Sequence, residues 1–306
     1  MATKNILVIG AGELGNEVLR FLIHHPLRDA TVAVLLRPSS IASTDPTKKK
    51  EVQSLKDLGV ELVPGDIVQD QEPALASTFA GYDTIIGCTG FVAGKGTQTK
   101  LARAVLEAGT ARYIPWQFGV DYDVIGRGSA QDLFDEQLDV RDMLRSQNTT
   151  RWAIISTGMF TSFLFEPFFG VVDFKNATFC ALGSWDNRVT ITTPQDIGKF
   201  TAEIVLGRDS DIIFANQAIF VGGDTISYRE LSQLVETLAQ NPFQKSVLTV
   251  ADAKSALVQD PSNALLKYQV VFGQGLGVAW DVEKTWNYQQ GIAATTAREW
   301  AEENLI

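Results

Sequence analysis

The 306-residue sequence predicts an α/β protein, a doubly wound parallel sheet with a smaller carboxyl-terminal substrate lobe, on three observations. Short apolar runs rich in β-branched residues alternate with helical stretches up to about position 158. The first run leads directly into Gly-x-Gly-x-x-Gly and then a helix. Beyond Gly158 the alternation loosens. These observations place a dinucleotide-binding domain at 1–158 and a lobe at 159–306, with the elements around 196–222 returning to the first sheet.

The run Asn5–Ile9 is too short for a helix, and Glu17–Leu22 continues as one, so Gly10-Ala11-Gly12-Glu13-Leu14-Gly15 joins strand to helix. In such a turn Gly10 allows the sharp bend, Gly12 lets the backbone approach a pyrophosphate, and Gly15 lets helix pack on strand. The N–H groups of the helix start, at Glu13 and Leu14, then face the phosphates. The expected architecture is therefore Rossmann-like.

The second strand, Val32–Leu36, ends in Arg37, where an NAD site would carry Asp or Glu for the ribose hydroxyls. A guanidinium there suits a 2′-phosphate, so the cofactor reading is NADP(H). Lys48, Lys49 and Lys50 read as part of the same loop. Lys48 is the candidate second cation, and the run otherwise reads as a solvated face opening the helix 51–58.

The third strand, Gly59–Asp66, is ended by Pro64 and Gly65, which puts Asp66 and Ile67 at a carboxyl strand end, either beside an adenine or in a simple turn. The fourth, Gly81–Gly90, finishes on Cys88, Thr89 and Gly90, small enough to leave room for a nicotinamide ribose. A helix over 98–108 and a fifth strand, Ala111–Pro115, follow. An aromatic and polar loop then leads from Trp116 through Tyr122 to a helix over 130–146, and Arg151–Gly158 is the sixth strand. The Phe-rich segment 159–165, with Phe168 and Phe169, reads as core packing or, for a share of its rings, as the wall of a pocket for a flat aromatic. Ser227 with Glu230 is a capping box opening the helix 228–239, and 295–304 is the last helix.

Composition narrows the function. A formal net charge of −10 argues against a nucleic-acid surface, which needs clustered Lys and Arg. Cys88 and Cys180 are too few for a disulfide framework and read as buried reduced thiols. The most apolar region, 157–174, is interrupted by Glu166, Pro167 and Asp173, so no membrane span is expected. No metal-type cluster stands out; His24 and His25 are adjacent, face different directions on a helix and read as surface residues. The expected location is cytoplasmic, and a homodimer is left open.

Ile114-Pro115-Trp116-Gln117-Phe118-Gly119-Val120-Asp121, followed by Phe134-Asp135-Glu136-Gln137-Leu138-Asp139-Val140-Arg141, resembles the isoflavone reductase-like, NmrA-like branch of the atypical short-chain dehydrogenases. Gly65-Asp66 and Ile155–Phe160 extend the resemblance, which runs to about Gly198. It implies that Pro115, Trp116 and Gln117, in place of the family's Pro-Ser-Glu, line the nicotinamide, and that position 137 is that of a lysine serving as acid/base or orienting cation. Thr157 and Gly158 are read as framing the nicotinamide as well, and Phe118, Met159, Phe160 and Phe163 as facing substrate. Three departures are visible. The glycine turn is one residue shorter than the usual Gly-x-x-Gly-x-x-Gly, Glu13 brings an unfavourable charge near the phosphates unless it points away, and position 137 is Gln, which donates a hydrogen bond but exchanges no proton near neutral pH. Tyr122, the one phenol of the presumed site loop, is the candidate proton donor beside Gln137. The reading is an NADPH-dependent reductase of secondary metabolism. It delivers hydride to a small conjugated aromatic carbonyl or enone of isoflavone, phenylpropanoid or polyketide type. The alternative is a non-catalytic NADP-binding regulator or redox sensor of the NmrA type.

Overall fold

A computed structural model describes residues 4–305. The chain divides into two compact units, one made of residues up to 117, 136–155 and 197–218, the other of 118–135, 156–196 and everything from 219 onward.

The first unit is built on a parallel sheet whose strands are β1 (Lys4–Ile9), β2 (Ala30–Leu36), β3 (Glu61–Pro64), β4 (Thr84–Gly87), β5 (Arg112–Ile114) and β6 (Arg151–Ser156). Their order is β3-β2-β1-β4-β5-β6, and the strand Gln217–Phe220 extends the sheet beside β6 to seven. The order reverses between β1 and β4, the place where such sheets open a crevice outside the carboxyl ends of their strands. Register aligns those ends: Ile9 pairs with both Leu35 and Gly87, and Leu36 with Pro64. Gly10, Arg37, Gly65 and Cys88 consequently emerge along one edge.

Leu7, Val8, Ala33, Val34, Ile85 and Ile86 are buried, as strands covered on both faces require. One cover is α1 (Glu13–His24), which buries Leu14, Val18, Leu19 and Leu22. The helix Pro194–Leu206 belongs almost entirely to the same unit, and its Gly198 meets the backbone of Glu17 so closely that a Cβ would lie 2.7 Å from the Glu17 carbonyl carbon. His25 is not the surface residue expected from sequence: it is largely buried, with Nε2 2.9 Å from a Glu203 carboxylate oxygen.

The lysine run also differs from expectation. Lys48, Lys49 and Lys50 lie in a helix and not in a loop, because Asp45 accepts the Lys48 N–H at 2.9 Å and Pro46 occupies the first helical position. With α2 (Pro38–Ile41) before it, this helix is α3 (Pro46–Asp57); α4 (Glu72–Phe79) and α5 (Thr97–Glu107) follow.

The second unit holds two small sheets. Arg188–Thr192 runs antiparallel to Asp224–Ser227 and parallel to Met159–Phe160. Thr178–Leu182 runs parallel to Gln244–Leu248 and antiparallel to Val172–Asp173. Cys180, on one of these strands, is half-buried, whereas both cysteines were expected inside. The expected Ser227–Glu230 capping box is present, and a second, Thr296–Glu299, opens the last helix, Ala297–Asn304. No helix of the described residues is long and apolar enough to cross a membrane.

Candidate functional site

Along the edge where the strands of the first unit end, a cavity of about 710 Å³ is lined by Gly10, Gly12, Arg37, Lys48, Asp66, Ile67 and Thr89 among others. The three glycines of the turn do three different things. Gly10 has φ +97°, a conformation side chains avoid, and a Cβ there would sit 2.4 Å from the Thr89 hydroxyl. Gly15 carries its α1 turn against β1, since its Cβ would lie 2.2 Å from the Gly10 carbonyl oxygen. Gly12 faces open space: nothing lies within 4 Å of where a Cβ would be. It is also the N-cap of α1 and offers no side-chain oxygen to the helix start, where backbone N–H groups and the helix dipole favour an anion. Open backbone and uncapped donors at a twelve-residue helix fit a pyrophosphate.

Side chains of the turn go elsewhere: Leu14 is buried in the core, Gly15 packs helix on strand, as its spacing predicts, and Glu13 is exposed. Cys88, Gly90 and these three are not among the residues lining the cavity. The Cys88 thiol is buried, and burial pushes its pKa up, so it remains a thiol. Gly90 lies on the Trp116 ring, where a Cβ would come within 2.8 Å of a ring carbon.

Three cations line the cavity, and their surroundings differ. Arg20 gives two hydrogen bonds to Glu17, and Lys48 Nζ is 2.7 Å from Glu51. Arg37, exposed at the end of β2, has no carboxylate within ion-pair distance among the described residues. It is therefore the guanidinium open to a phosphate, with Ser40 also in the wall.

Asp66 lines the cavity while also forming a turn: its carboxylate accepts the Val68 and Gln69 N–H groups at 2.9 and 3.1 Å. Lys100 of α5 donates to the Val68 and Asp70 carbonyls and fixes that turn. Thr89 is held by its hydroxyl on the Ile9 carbonyl and by Gln98 on its own carbonyl.

Next to β5, the same unit buries a group of amides. Pro115 is buried and Trp116 half-buried, stacked edge-on to Phe91 at 4.7 Å. Gln117 is fully buried; its Nε2 donates to the Gln137 carbonyl at 2.9 Å and its Oε1 accepts from Arg141 Nε at 2.8 Å. Gln137, on the helix Leu133–Arg145, is 0 % exposed, and neither Oε1 nor Nε2 of its side chain hydrogen-bonds to a described residue. A buried amide without partners costs about 1–3 kcal/mol per group.

Its neighbour Glu136, which sequence reasoning missed as a structural residue, accepts the N–H groups of Gly96, Gln98 and Thr99 and so caps α5 from a distant helix. No local pattern signals this, because the carboxylate lies about forty residues from the donors it serves.

The remaining candidates belong to the second unit. The N–H groups of Thr157 and Gly158 both donate to the Gly119 carbonyl, at 2.9 and 3.0 Å, and Gly158 packs on Thr190. Phe118 and Met159 are buried; Phe160 and Phe163 are half-buried. Tyr122 is buried edge-on to Phe134 at 4.9 Å, and its hydroxyl would touch a Cβ on Gly119.

The model of the NmrA-like family matches residues 2–300. The chain belongs to the NmrA-like family. A Gibberella moniliformis protein called an NmrA-like family domain-containing oxidoreductase is 47% identical over 99% of both chains. Isoflavone reductase homolog P3 of Arabidopsis thaliana is 27% identical over 85% of this chain and 84% of its own. Among solved structures, leucoanthocyanidin reductase of Vitis vinifera, described as a binary complex with NADPH, superposes with a TM-score of 0.79 at 20% identity over 98% of each chain. The last comparison concerns the fold, and it agrees with the seven-stranded Rossmann-like sheet described above.

Proposed function

We propose that this NmrA-like chain is an NADPH-dependent oxidoreductase, a reductase acting on a small, flat, conjugated aromatic carbonyl or enone. The observation that carries the reading is Arg37, an unpaired guanidinium where β2 ends, in the wall of a cavity that also holds the uncapped start of α1. The reductase and oxidoreductase names of its relatives support it.

In this reading Gly10, Gly12 and the first N–H groups of α1 hold the pyrophosphate. Arg37 takes the 2′-phosphate, with Lys48 at hand once it leaves Glu51. Asp66 and Ile67 border the adenine, Thr89 the nicotinamide ribose, and Pro115, Trp116 and Gln117 the nicotinamide end. A bound nicotinamide supplies the hydride. Gln137 offers its Nε2–H to the substrate oxygen and polarises it without charge, and water supplies the proton. Within the second unit, Phe118, Met159, Phe160 and Phe163 offer apolar surroundings to an aromatic group.

A second reading rests on Gln137 itself: an amide at the family's lysine position suits a non-catalytic NADP-binding regulator with a protein partner. Purified protein mixed with NADPH and a panel of conjugated aromatic ketones and enones separates the two. Consumption of NADPH with any of them supports the reductase; saturable NADPH binding with no turnover across the panel contradicts it and favours the regulator. Gln137→Lys is expected to raise turnover by about tenfold or more and to add a basic limb to the pH profile, since general acid catalysis contributes at least that much.

A further inference from the structure

We infer that Tyr268 determines ligand specificity in an aromatic site contained within the second unit, where its hydroxyl hydrogen-bonds an oxygen of a flat aryl ligand seated beside Phe163 and Phe168. The inference rests on the substrate class proposed above and names a residue that recognises it. Four observations lead to it.

The first is a chain of rings. Tyr122 meets Phe134 at 4.9 Å, Phe134 meets Tyr268 at 5.9 Å, Tyr268 meets Phe163 at 6.2 Å, and Phe163 meets Phe168 at 5.3 Å, all edge to face. The second is its asymmetry. Phe169, beside Phe163, is fully buried, whereas the adjacent Phe168 is 58 % exposed, so the chain of rings is core at one side and open at the other.

The third observation is the Tyr268 hydroxyl, which makes no hydrogen bond with any described residue. The hydroxyls of Tyr113 and Tyr228 are also unpartnered, but those side chains are sealed in the core. Tyr268 is half-buried, within reach of a ligand. Burial pushes its phenol up to about 12, which keeps it a proton-bearing donor across the working range of pH.

The fourth is rigidity. Tyr268 sits on the helix Ala264–Gln274, and both its chain neighbours are tied down: Lys267 pairs with Asp132, and Gln269 Nε2 donates to the Phe169 carbonyl at 2.9 Å. Just past the end of this helix, the Gly277 carbonyl accepts the Asp121 N–H at 2.8 Å. The segment 121–134, which carries Tyr122 and Phe134, is thus sewn to the region of Tyr268 at two points, so the rings are held in place before a ligand arrives.

The test is equilibrium dialysis of the full chain, without NADPH, against two probes. Benzylideneacetone is an aryl enone; trans-β-methylstyrene keeps its ring and alkene and lacks the oxygen. Tyr268→Phe keeps the ring and removes only the hydroxyl. It is expected to weaken benzylideneacetone by about three- to tenfold, the loss of one neutral hydrogen bond, while binding of the hydrocarbon stays within about twofold. Equal weakening of both probes, or no change with either, overturns the inference, as does failure of the wild-type chain to bind benzylideneacetone. Because no cofactor is present, a failure of NADPH binding in a separate titration strikes the cofactor reading alone.

Discussion

At the residue scale the glycine turn separates stability from binding. Gly15→Ala forces a methyl to within 2.2 Å of the Gly10 carbonyl oxygen, and overpacking of that kind costs about 1–3 kcal/mol. Gly12→Ala meets nothing within 4 Å and keeps an ordinary negative φ of −82°. Thermal denaturation is therefore expected to show Gly15→Ala melting several degrees low and Gly12→Ala melting like wild type. NADPH titration is expected to show Gly12→Ala binding at least about tenfold more weakly, because the methyl occupies the space left for the phosphates. Equal melting temperatures for the two variants would refute the division of labour. The spacing alone made these roles legible: a strand, a six-residue turn and a helix leave little choice of geometry. Glu13 and Leu14 were less legible, since spacing places backbone donors and says nothing about where side chains go. Gln137 was legible as a departure, but its two unpartnered amide atoms became visible only with the packing around it.

Element boundaries follow from local chemistry where that chemistry is local. Ser227 with Glu230 forms its capping box as read from sequence. Asp45-Pro46 is an equally plain helix start, and it is this pair that puts the three lysines behind it in a helix where the charge run alone reads as a loop. The start of α5 was illegible, because its N-cap, Gly96, contributes no side chain and the carboxylate that serves it arrives from the helix Leu133–Arg145. Glu136→Ala leaves the N–H groups of Gly96, Gln98 and Thr99 without that acceptor. We expect a loss of about 2 kcal/mol and a melting temperature lower by about 4–8 °C. Glu136→Gln, which still accepts from some of these donors, is expected to fall between the two. An unchanged melting temperature for the alanine variant would show that α5 does not depend on this cap.

Over the whole molecule, the first unit was readable and much of the second was not. Parallel strands buried on both faces leave continuous apolar runs, so the sheet could be counted along the chain. In the second unit Val172–Asp173 has two residues, and Thr178–Leu182 pairs with Gln244–Leu248 more than sixty positions away, so no local period records the pairing.

The surface of the whole chain sets its response to acid. Asp211 is held below the usual carboxylate range by the Arg151 hydrogen bond and then by the charge of Arg112, and Glu230 by the hydroxyl and N–H of Ser227. Glu299 is held low in the same way by the N–H and hydroxyl of Thr296. A carboxyl whose pKa is lower folded than unfolded binds fewer protons in the native state, so its contribution is present above about pH 4.5 and is lost as pH falls through the folded values. The melting temperature is accordingly expected to be flat from neutrality to about pH 5 and to decline below it; a rise on acidification would contradict these assignments.

The central claim is that the cavity at the strand ends of the first unit is an NADPH site selected by Arg37. The most direct measurement is the pair of dissociation constants for NADPH and NADH, taken on wild type and on Arg37→Asp. The account predicts that wild type prefers NADPH and that the variant loses about ten- to a hundredfold in NADPH affinity while holding or gaining affinity for NADH, the loss of a charged hydrogen bond with a repulsive carboxylate in its place. An unchanged preference, or equal loss for both nucleotides, would contradict it.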